Sequence, residues 1–238
     1  MQKTIHRANT RGFADHGWLQ SRHTFSFAGY HDPARMHFGA LRVLNDDVVA
    51  PGKGFGTHPH ADMEIVSIPL SGSLAHKDST GNCETIRTGD VQIMSAGTGI
   101  THSEFNPDET QEVNFLQIWV LPEKRGIRPR YEQKTFDLEA QRNALVKTVS
   151  WQQGSGALWI NQRAHFWLGM FDAQKEIAVE ASAARAGLYF FVIRGAADIA
   201  GERLQARDAL GLMGAEKTTV RAVAPTTLLV IEVPEIAG

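Results

Sequence analysis

The sequence predicts an all-β protein made of two barrels. Short apolar runs of strand length recur about every ten residues and are separated by Gly, Asp and Asn, which is typical of β-sandwiches and barrels. Convincing helical periodicity is scarce in the 238 residues. The second half of the chain also repeats landmarks of the first half. An all-β fold with an internal duplication therefore accounts for the whole chain.

The first half contains the clearest predicted strands, which are the segments 39–44, 63–68, 73–76, 91–94 and 113–120. A charged, proline-containing stretch from Pro122 to Gln133 follows them and is typical of a connection between domains. The segment from Asp137 to Val146 is the best candidate for a short helix. We therefore expect an N-terminal barrel over residues 1–134 and a C-terminal barrel over residues 135–238.

Three landmarks relate the two halves: Gly72 corresponds to Gly195, Asp90-Val91 to Asp208-Ala209, and Asn114–Val120 to Thr227–Val233. Superposing the halves on these landmarks places four residues of the second half opposite polar residues of the first, namely Ala181 on His58, Ala183 on His60, Val220 on His102 and Ala222 on Glu104. The second barrel is therefore expected to lack metal ligands and to support the first barrel by packing.

Composition argues against several classes of function. The chain has 24 Lys and Arg against 26 Asp and Glu, and no basic run suggests a surface that follows phosphates. We therefore expect no direct nucleic-acid partner. The apolar runs 188–193 and 228–231 are much shorter than the roughly 20 residues that span a bilayer, and the N-terminus lacks the apolar core of a secretory signal. We expect a cytoplasmic protein without a membrane partner. The single cysteine, Cys83, is too little for a thiolate zinc site.

Two short motifs indicate a metal site. Residues 58–60 are His-Pro-His and residues 102–104 are His-Ser-Glu. Side chains two apart on a strand point to the same face, with a rise of roughly 6.5–7 Å between them. Two such pairs facing each other across a small barrel can hold one divalent ion and leave positions open for water, substrate or oxygen. We predict that His58, His60, His102 and Glu104 are the ligands. Pro59 has no amide donor, so its strand is expected at a sheet edge.

These motifs lie in longer runs that resemble the pirins, a two-barrel family of the cupin superfamily. The runs are HTFSF at 23–27, LRVLNDD at 41–47, GFGTHPH at 54–60, MSAGTGITHSE at 94–104 and QIW at 117–119. The resemblance implies two jelly-roll cupin barrels packed as a bicupin, with one metal, usually iron, in the N-terminal barrel. For bacterial members it also implies an activity that opens flavonols such as quercetin with dioxygen.

The chain departs from the general cupin pattern at two positions. Glu64 follows His60 by four residues, as a cupin ligand glutamate does, but the glycine after it is displaced by one. Ser95 stands where the pattern has a proline. Both departures resemble the pirin branch, in which the carboxylate ligand follows the third histidine. The resemblance therefore implies that Glu104 binds the metal, and Glu64 is expected just behind the ligands.

The resemblance implies a quercetin 2,3-dioxygenase-like oxidoreductase that cleaves a flavonol with O2 and releases carbon monoxide. In this hypothesis Glu104 is the catalytic base, because a carboxylate can loosen from the ion and accept the proton of the 3-hydroxyl. Phe55, Phe115 and Gln117 are the candidate substrate-binding residues, since aromatic walls suit a planar ligand and an amide can fix its orientation. An ordinary core position is equally consistent with these three residues.

Other polar residues have no matched partner at strand spacing. Surface or hydrogen-bonded imidazoles are expected at His16, His23, His31, His37 and His76, and a structural imidazole at His165. The pair Asp46 and Asp47 is typical of a loop or turn, and Cys83 is expected to be exposed without a role in the site.

Three functions fit the sequence. The first is the flavonol dioxygenase, with a small aromatic substrate and O2 as partners. The second is a non-enzymatic metal-sensing or redox-sensing regulator of the pirin type that acts through a protein partner. The third is a metal-dependent isomerase or another cupin oxygenase. The expected cofactor is one divalent transition metal, Fe(II) first, although three nitrogens and one oxygen also accept Mn, Co, Ni, Cu or Zn. The physiological substrate and the oligomeric state are left open.

Overall fold

The computed structural model describes residues 2–236 of the chain. Within these residues the regular structure consists of strands and one 3-10 turn at Ala8–Thr10. No helix in the described range is long and apolar enough to cross a membrane. The all-β prediction is confirmed.

Twelve strands lie in the first half: β1 (Gln2–His6), β2 (Gly12–Asp15), β3 (Leu19–His23), β4 (Leu41–Val49), β5 (Gly54–His60), β6 (Glu64–Ser71), β7 (Ser73–Asp78), β8 (Cys83–Arg87), β9 (Asp90–Ser95), β10 (Ile100–Phe105), β11 (Val113–Val120) and β12 (Arg130–Thr135). Ten follow: β13 (Val146–Ser150), β14 (Leu158–Trp159), β15 (His165–Phe171), β16 (Glu176–Glu180), β17 (Gly187–Arg194), β18 (Ala196–Ile199), β19 (Glu202–Gln205), β20 (Ala209–Met213), β21 (Lys217–Ala222) and β22 (Thr226–Val233). All five strands predicted for the first half are found, in β4, β6, β7, β9 and β11.

The strands form four sheets, two in each barrel. The first barrel has a seven-stranded sheet of order β12-β9-β6-β11-β4-β3-β2 and a four-stranded sheet of order β5-β10-β7-β8. The second barrel has a seven-stranded sheet of order β1-β20-β17-β22-β15-β13-β14 and a four-stranded sheet of order β16-β21-β18-β19. The order β9-β6-β11-β4-β3 matches β20-β17-β22-β15-β13, and the two small sheets also match, so the predicted duplication is confirmed. The outer strands differ: β2 is antiparallel to β3, whereas β14 is parallel to β13.

One outer strand of each large sheet, β12 in the first barrel and β1 in the second, affects where the chain can be divided into domains. β12 pairs with β9 in the first barrel, so the predicted connection 122–133 is part strand rather than all linker. β1 begins the chain but pairs with β20 of the second barrel, from Gln2↔Met213 to His6↔Ala209. The division into 1–134 and 135–238 stays a prediction, and residues 2–6 join the sheet of the second barrel.

The two large sheets pack against each other through a shared apolar core. On β11, Leu116, Ile118 and Val120 are fully buried in the same hydrophobic cluster as Leu229 and Ile231 of β22. Side chains alternate between the two faces of a strand. The intervening residues of β11 therefore point into the first barrel, where the site lies.

The predicted helix at 137–146 is wrong. Residues 138–143 form turns and β13 begins at Val146. Asp137 does accept a hydrogen bond from the amide of Ala140, as a helix-capping residue would. However, Asn143 has a φ of 67°, in the left-handed region, which ends the turns after six residues. So short a segment does not offset the cost of helix nucleation.

The predicted alignment of the two halves is wrong by two residues in the strands that matter. Gly72 and Gly195 do correspond, which makes His76 equivalent to Ile199. Glu104 pairs with His76, and Val220 pairs with Ile199, so Val220 is the equivalent of Glu104. The landmarks failed because 14 positions separate Asp90 from Glu104 and only 12 separate Asp208 from Val220.

The corrected equivalents keep the conclusion about the second barrel. Strand pairing makes Val179, Ala181, Thr218 and Val220 the counterparts of His58, His60, His102 and Glu104. None of the four offers an imidazole or a carboxylate. Within residues 2–236, both groups of side chains that could hold a metal lie in the first barrel.

Candidate metal centre and its cavity

Strand pairing brings the two predicted motifs together. β5 and β10 are antiparallel neighbours, with His58 opposite His102 and His60 opposite Ile100. β5 is the outer strand of its sheet, as Pro59 predicted. The pairing shifts register between His102 and Glu104, which marks a β-bulge. Bulges re-aim side chains next to functional sites.

Three imidazoles meet at this junction. The candidate ligand atoms of His58, His60 and His102 lie within 4.8 Å of one another. Their ring centroids are 4.4 Å apart for His58 and His102, 4.8 Å for His58 and His60, and 4.9 Å for His60 and His102. His58 Nδ1 lies 2.8 Å from the carbonyl oxygen of Gly56. Donation from Nδ1–H to this oxygen would leave Nε2 as a lone-pair donor, a common arrangement for metal-binding histidines.

The environment favours the neutral form of His60 and of His102, which is the form that binds a metal. Burial and the nearby His58 lower the pKa of His60 to about 4. Burial, with His58 and His60 next in importance, lowers the pKa of His102 to about 3. Both ring nitrogens of His102 are buried without a hydrogen-bond partner in the described chain. An unpartnered buried imidazole among two others fits a metal ion well.

Glu104 supplies the carboxylate beside this cluster. It is 2 % exposed, and burial raises its pKa against the opposing effect of hydrogen bonds from Gln117. Gln117 Nε2 lies 3.0 Å from Oε2 and 3.2 Å from Oε1 of Glu104. Ser67 Oγ lies 3.0 Å from Gln117 Oε1 and 3.3 Å from Glu104 Oε1, and its one proton can go to either oxygen. Gln117, predicted as a substrate residue, therefore also fixes the orientation of Glu104.

His76 is closer to the site than the sequence indicated. It is buried, its ring centroid lies 5.3 Å from that of His102, and with His102 and Glu104 it forms a second group of possible metal ligands. Its Nε2 lies 3.0 Å from Asp78 Oδ2, so the expected hydrogen-bonded imidazole is found. Its proximity to His102 depends on the pairing of β7 with β10, which the sequence of β7 alone does not reveal.

A cavity of about 730 Å³ opens onto the cluster. It is lined by His58, His60 and Glu104 together with Phe55 and Gln117, two of the predicted substrate residues. Further aromatic rings on its walls, which the sequence analysis did not select, belong to Phe13, Trp18, Phe27, Tyr30 and Trp119.

Phe115, the third predicted substrate residue, does not line the cavity. It is fully buried in a hydrophobic cluster with Leu74 and Ile86. On β11 it is separated from Gln117 by one position, so both point into the barrel, at different depths. The core interpretation of Phe115 is the one that the structure supports.

Two further expectations need correction. Asp46 and Asp47 are buried in the middle of β4, not in a loop. Asp47 lines the cavity, and burial raises its pKa to about 7 despite a hydrogen bond from Ser21. His16 and His23 also line the cavity. Successive side chains of β4 alternate between the interior of the first barrel and the face between the barrels. Asp47 therefore points into the barrel, whereas Asp46 points to the face between the barrels.

The family assignment follows from comparison with known proteins. Residues 4–120 match the family model described as pirin, and residues 147–233 match the model described as quercetinase C-terminal cupin domain. A curated protein from Escherichia coli (strain K12), named quercetin 2,3-dioxygenase, is 43% identical over 232 residues, 98% of this chain and 99% of the relative. The chain belongs to the pirin family.

Other pirin relatives extend the similarity. A pirin-like protein from Caulobacter vibrioides is 37% identical over 222 residues, 93% of this chain and 95% of that protein. The crystal structure of YhhW from Escherichia coli matches with a TM-score of 0.94 at 39% identity and covers 100% of both chains. The structure of the same bacterial pirin in complex with nickel(II) has the same TM-score and identity and covers 99% of this chain. The bicupin fold is thereby confirmed.

In this pirin, the hydrogen bonds of Glu64 are made outside the histidine cluster. Glu64 is 1 % exposed and accepts hydrogen bonds from Ser95 Oγ at 2.8 Å and from the amide of Asn161 at 3.1 Å. Burial raises its pKa to about 7. Asn161 belongs to the second half of the chain, so Glu64 connects the two barrels. The expected place just behind the ligands is not where its hydrogen bonds lie.

Two residues of this pirin that were expected to have no role in the site lie outside the histidine cluster. His165 is buried in the second barrel between Trp151 and Trp167, with ring centroids 6.4 Å and 5.4 Å away. Cys83 is exposed at the start of β8. Both positions agree with the expectation that these residues take no part in the site.

Proposed function

We propose that this chain is a metal-dependent dioxygenase that cleaves a flavonol such as quercetin with O2 and releases carbon monoxide. Two comparisons support the proposal, the E. coli relative named quercetin 2,3-dioxygenase and the quercetinase model that matches the second half. The observation that carries it is the cluster of His58, His60 and His102 at an aromatic cavity of about 730 Å³, with the buried carboxylate of Glu104 close to His102.

We propose His58, His60, His102 and Glu104 as the ligands and Fe(II) as the metal. A bound metal would lower the pKa of a chelated substrate hydroxyl and bring it together with dioxygen. The donor set is compatible with several divalent metals, and E. coli YhhW has been crystallised with nickel(II). Elemental analysis of protein purified without added metal tests the iron assignment: nickel or zinc at one ion per chain, with iron absent, would overturn it.

Glu104 is the proposed base. Burial raises the pKa of its carboxyl, which makes it a stronger proton acceptor than an exposed glutamate. Gln117 Nε2 contacts both carboxylate oxygens and holds them in place, and Ser67 lies beside the two side chains. Such a carboxylate can take the proton of the 3-hydroxyl and keep it within hydrogen-bond reach of the substrate.

The cavity walls suit a flat substrate. The ring of Trp119 lies 5.0 Å from that of His60, and the ring of Phe55 lies 6.5 Å from that of His58. Aromatic side chains at this distance from the ligands can stack on a planar molecule and exclude water from its reacting ring. A small polar substrate would leave most of this surface wet.

The test is aerobic incubation with quercetin, following the loss of its visible absorbance and the carbon monoxide in the headspace. Metal-loaded wild type is expected to turn quercetin over. Chelated protein and the His60→Ala variant are expected to be inactive, whereas His31→Ala, which changes an exposed histidine that does not line the cavity, should match wild type. Turnover that survives both chelation and His60→Ala would refute the proposal. Metal binding without turnover, together with metal-dependent capture of a protein, would favour the regulatory alternative.

A further inference from the structure

One side of the cavity is polar although its other walls are aromatic. Ser21 and His23 of β3 and Asn45 and Asp47 of β4 all line it. Strand pairing sets Ser21 opposite Asp47 and His23 opposite Asn45. We refer to these four residues as the polar wall. Because they alternate with residues that point out of the barrel, the strand period itself places all four on the interior face.

The polar wall is buried and incompletely hydrogen-bonded. All four residues are less than 5 % exposed. Ser21 Oγ donates to Asp47 Oδ1, and within residues 2–236 this is the only side-chain hydrogen bond of the Asp47 carboxyl. His23 Nδ1 and Asn45 Oδ1 are buried without a partner in the described chain. Buried polar groups are costly when unpaired, so a wall of this kind is expected to face a polar partner.

The position of the wall relative to the metal centre defines that partner. Asn45 pairs with Gln117, the residue that holds Glu104. Asp47 is the next residue on the same face of β4, roughly 6.5–7 Å further along the strand. The Ser21 and Asp47 pair therefore lies one step along the interior face of β3 and β4 from the row of His23, Asn45 and Gln117, which adjoins Glu104.

We propose that Ser21 and Asp47 form a subsite that binds a phenolic hydroxyl of the substrate remote from its metal-chelating oxygen. The subsite selects polyhydroxylated planar aromatics over analogues that carry the chelating hydroxyl alone. This subsite rests on the proposed function, because chelation of the metal determines which end of the substrate faces Asp47. Burial raises the pKa of Asp47 to about 7, so its carboxyl can accept or donate a hydrogen bond near neutral pH.

The test compares quercetin with 3-hydroxyflavone, which keeps the chelating 3-hydroxyl and lacks all the other hydroxyls of quercetin. Their affinities for metal-loaded protein are measured without oxygen by quenching of tryptophan fluorescence, since Trp18 and Trp119 line the cavity. The variants are Asp47→Leu and the milder Ser21→Ala. Asp46→Asn is the matched control, because Asp46 contacts Asn114 at 2.7 Å and Arg207 at 3.5 Å and does not line the cavity.

We expect Asp47→Leu to weaken quercetin binding about tenfold and 3-hydroxyflavone binding less than about twofold, with a smaller change in the same direction for Ser21→Ala. Asp46→Asn should leave both affinities unchanged. Equal losses for the two ligands, or no loss for quercetin, would overturn the subsite, as would failure of both ligands to bind. Selective loss of quercetin binding without oxygen-dependent turnover in the wild type would support the subsite and refute the dioxygenase.

Discussion

Replacing Glu64 with glutamine separates the two glutamates that the sequence offers to the metal. Glu64 lies four residues after His60, where the general cupin pattern has a ligand. In the structure it accepts hydrogen bonds from Ser95 and Asn161 instead. Glutamine has the same shape and keeps an oxygen acceptor, but it carries no charge. The variant should therefore bind metal as tightly as wild type, while the stability of the fold acquires a different pH dependence.

The magnitude follows from the pKa of Glu64. Burial raises this pKa from its ordinary value of 4.5 to about 7 in the folded chain. The stability that protonated Glu64 contributes is fully present below about pH 4.5. It is lost as the pH rises through about 7, because Glu64 releases its proton more readily in the unfolded chain than in the folded chain. From pH 5 to pH 8 the loss amounts to about 2–3 kcal/mol at 1.36 kcal/mol per pKa unit. The Glu64→Gln variant does not lose this stability, because glutamine does not titrate.

The assay is urea unfolding of wild type and Glu64→Gln at pH 5 and pH 8. We expect the free energy of unfolding of the variant, relative to wild type, to increase by about 2–3 kcal/mol between the two values of pH. All other titrating groups are common to both proteins, so their contributions cancel. Glu123→Gln is the control, since Glu123 forms an exposed ion pair with Arg163. A relative stability that is the same at both values of pH, or a loss of metal affinity, would refute the reasoning.

Two other changes separate metal positioning from packing. Gln117→Leu removes both N–H contacts to Glu104, and metal affinity measured by chelator competition should fall about 10- to 100-fold; unchanged affinity would contradict the positioning role. Phe115→Ala leaves a cavity in the hydrophobic cluster with Leu74 and Ile86 and should lower the free energy of unfolding by about 3–5 kcal/mol in urea. Its preference for quercetin over 3-hydroxyflavone should stay that of wild type, and a changed preference would place Phe115 in the cavity wall after all.

The spacing of residues within each motif was sufficient to predict which side chains of the candidate metal centre share a face of a strand. Side chains two apart share a face of a strand, so the pair His58 and His60 can be recognised without knowing the partner strand. The edge position of β5 could also be predicted, because Pro59 cannot donate to a second neighbour. Both inferences depend only on residues within one strand.

Features that depend on partners distant in sequence could not be predicted in this way. No local signal tells β1 that it will pair with β20, more than 200 positions along the chain. Asp46 and Asp47 resemble a turn until β4 is known to separate the barrel interior from the inter-barrel core. His76 is recognised as a neighbour of His102 only once β7 and β10 are paired.

The loss of the site in the second barrel involves more than the four ligands. In the first barrel, Gln117 of β11 pairs with Asn45 on one side and with Ser67 on the other, which gives a polar row behind Glu104. The equivalent row in the second barrel is Trp167, Val230 and Phe190. These residues pack in the apolar core of that barrel, where a carboxylate would have no hydrogen-bond donor. A buried carboxylate without such donors is strongly disfavoured. Histidines placed at the ligand positions would therefore not restore a centre unless this row were made polar as well.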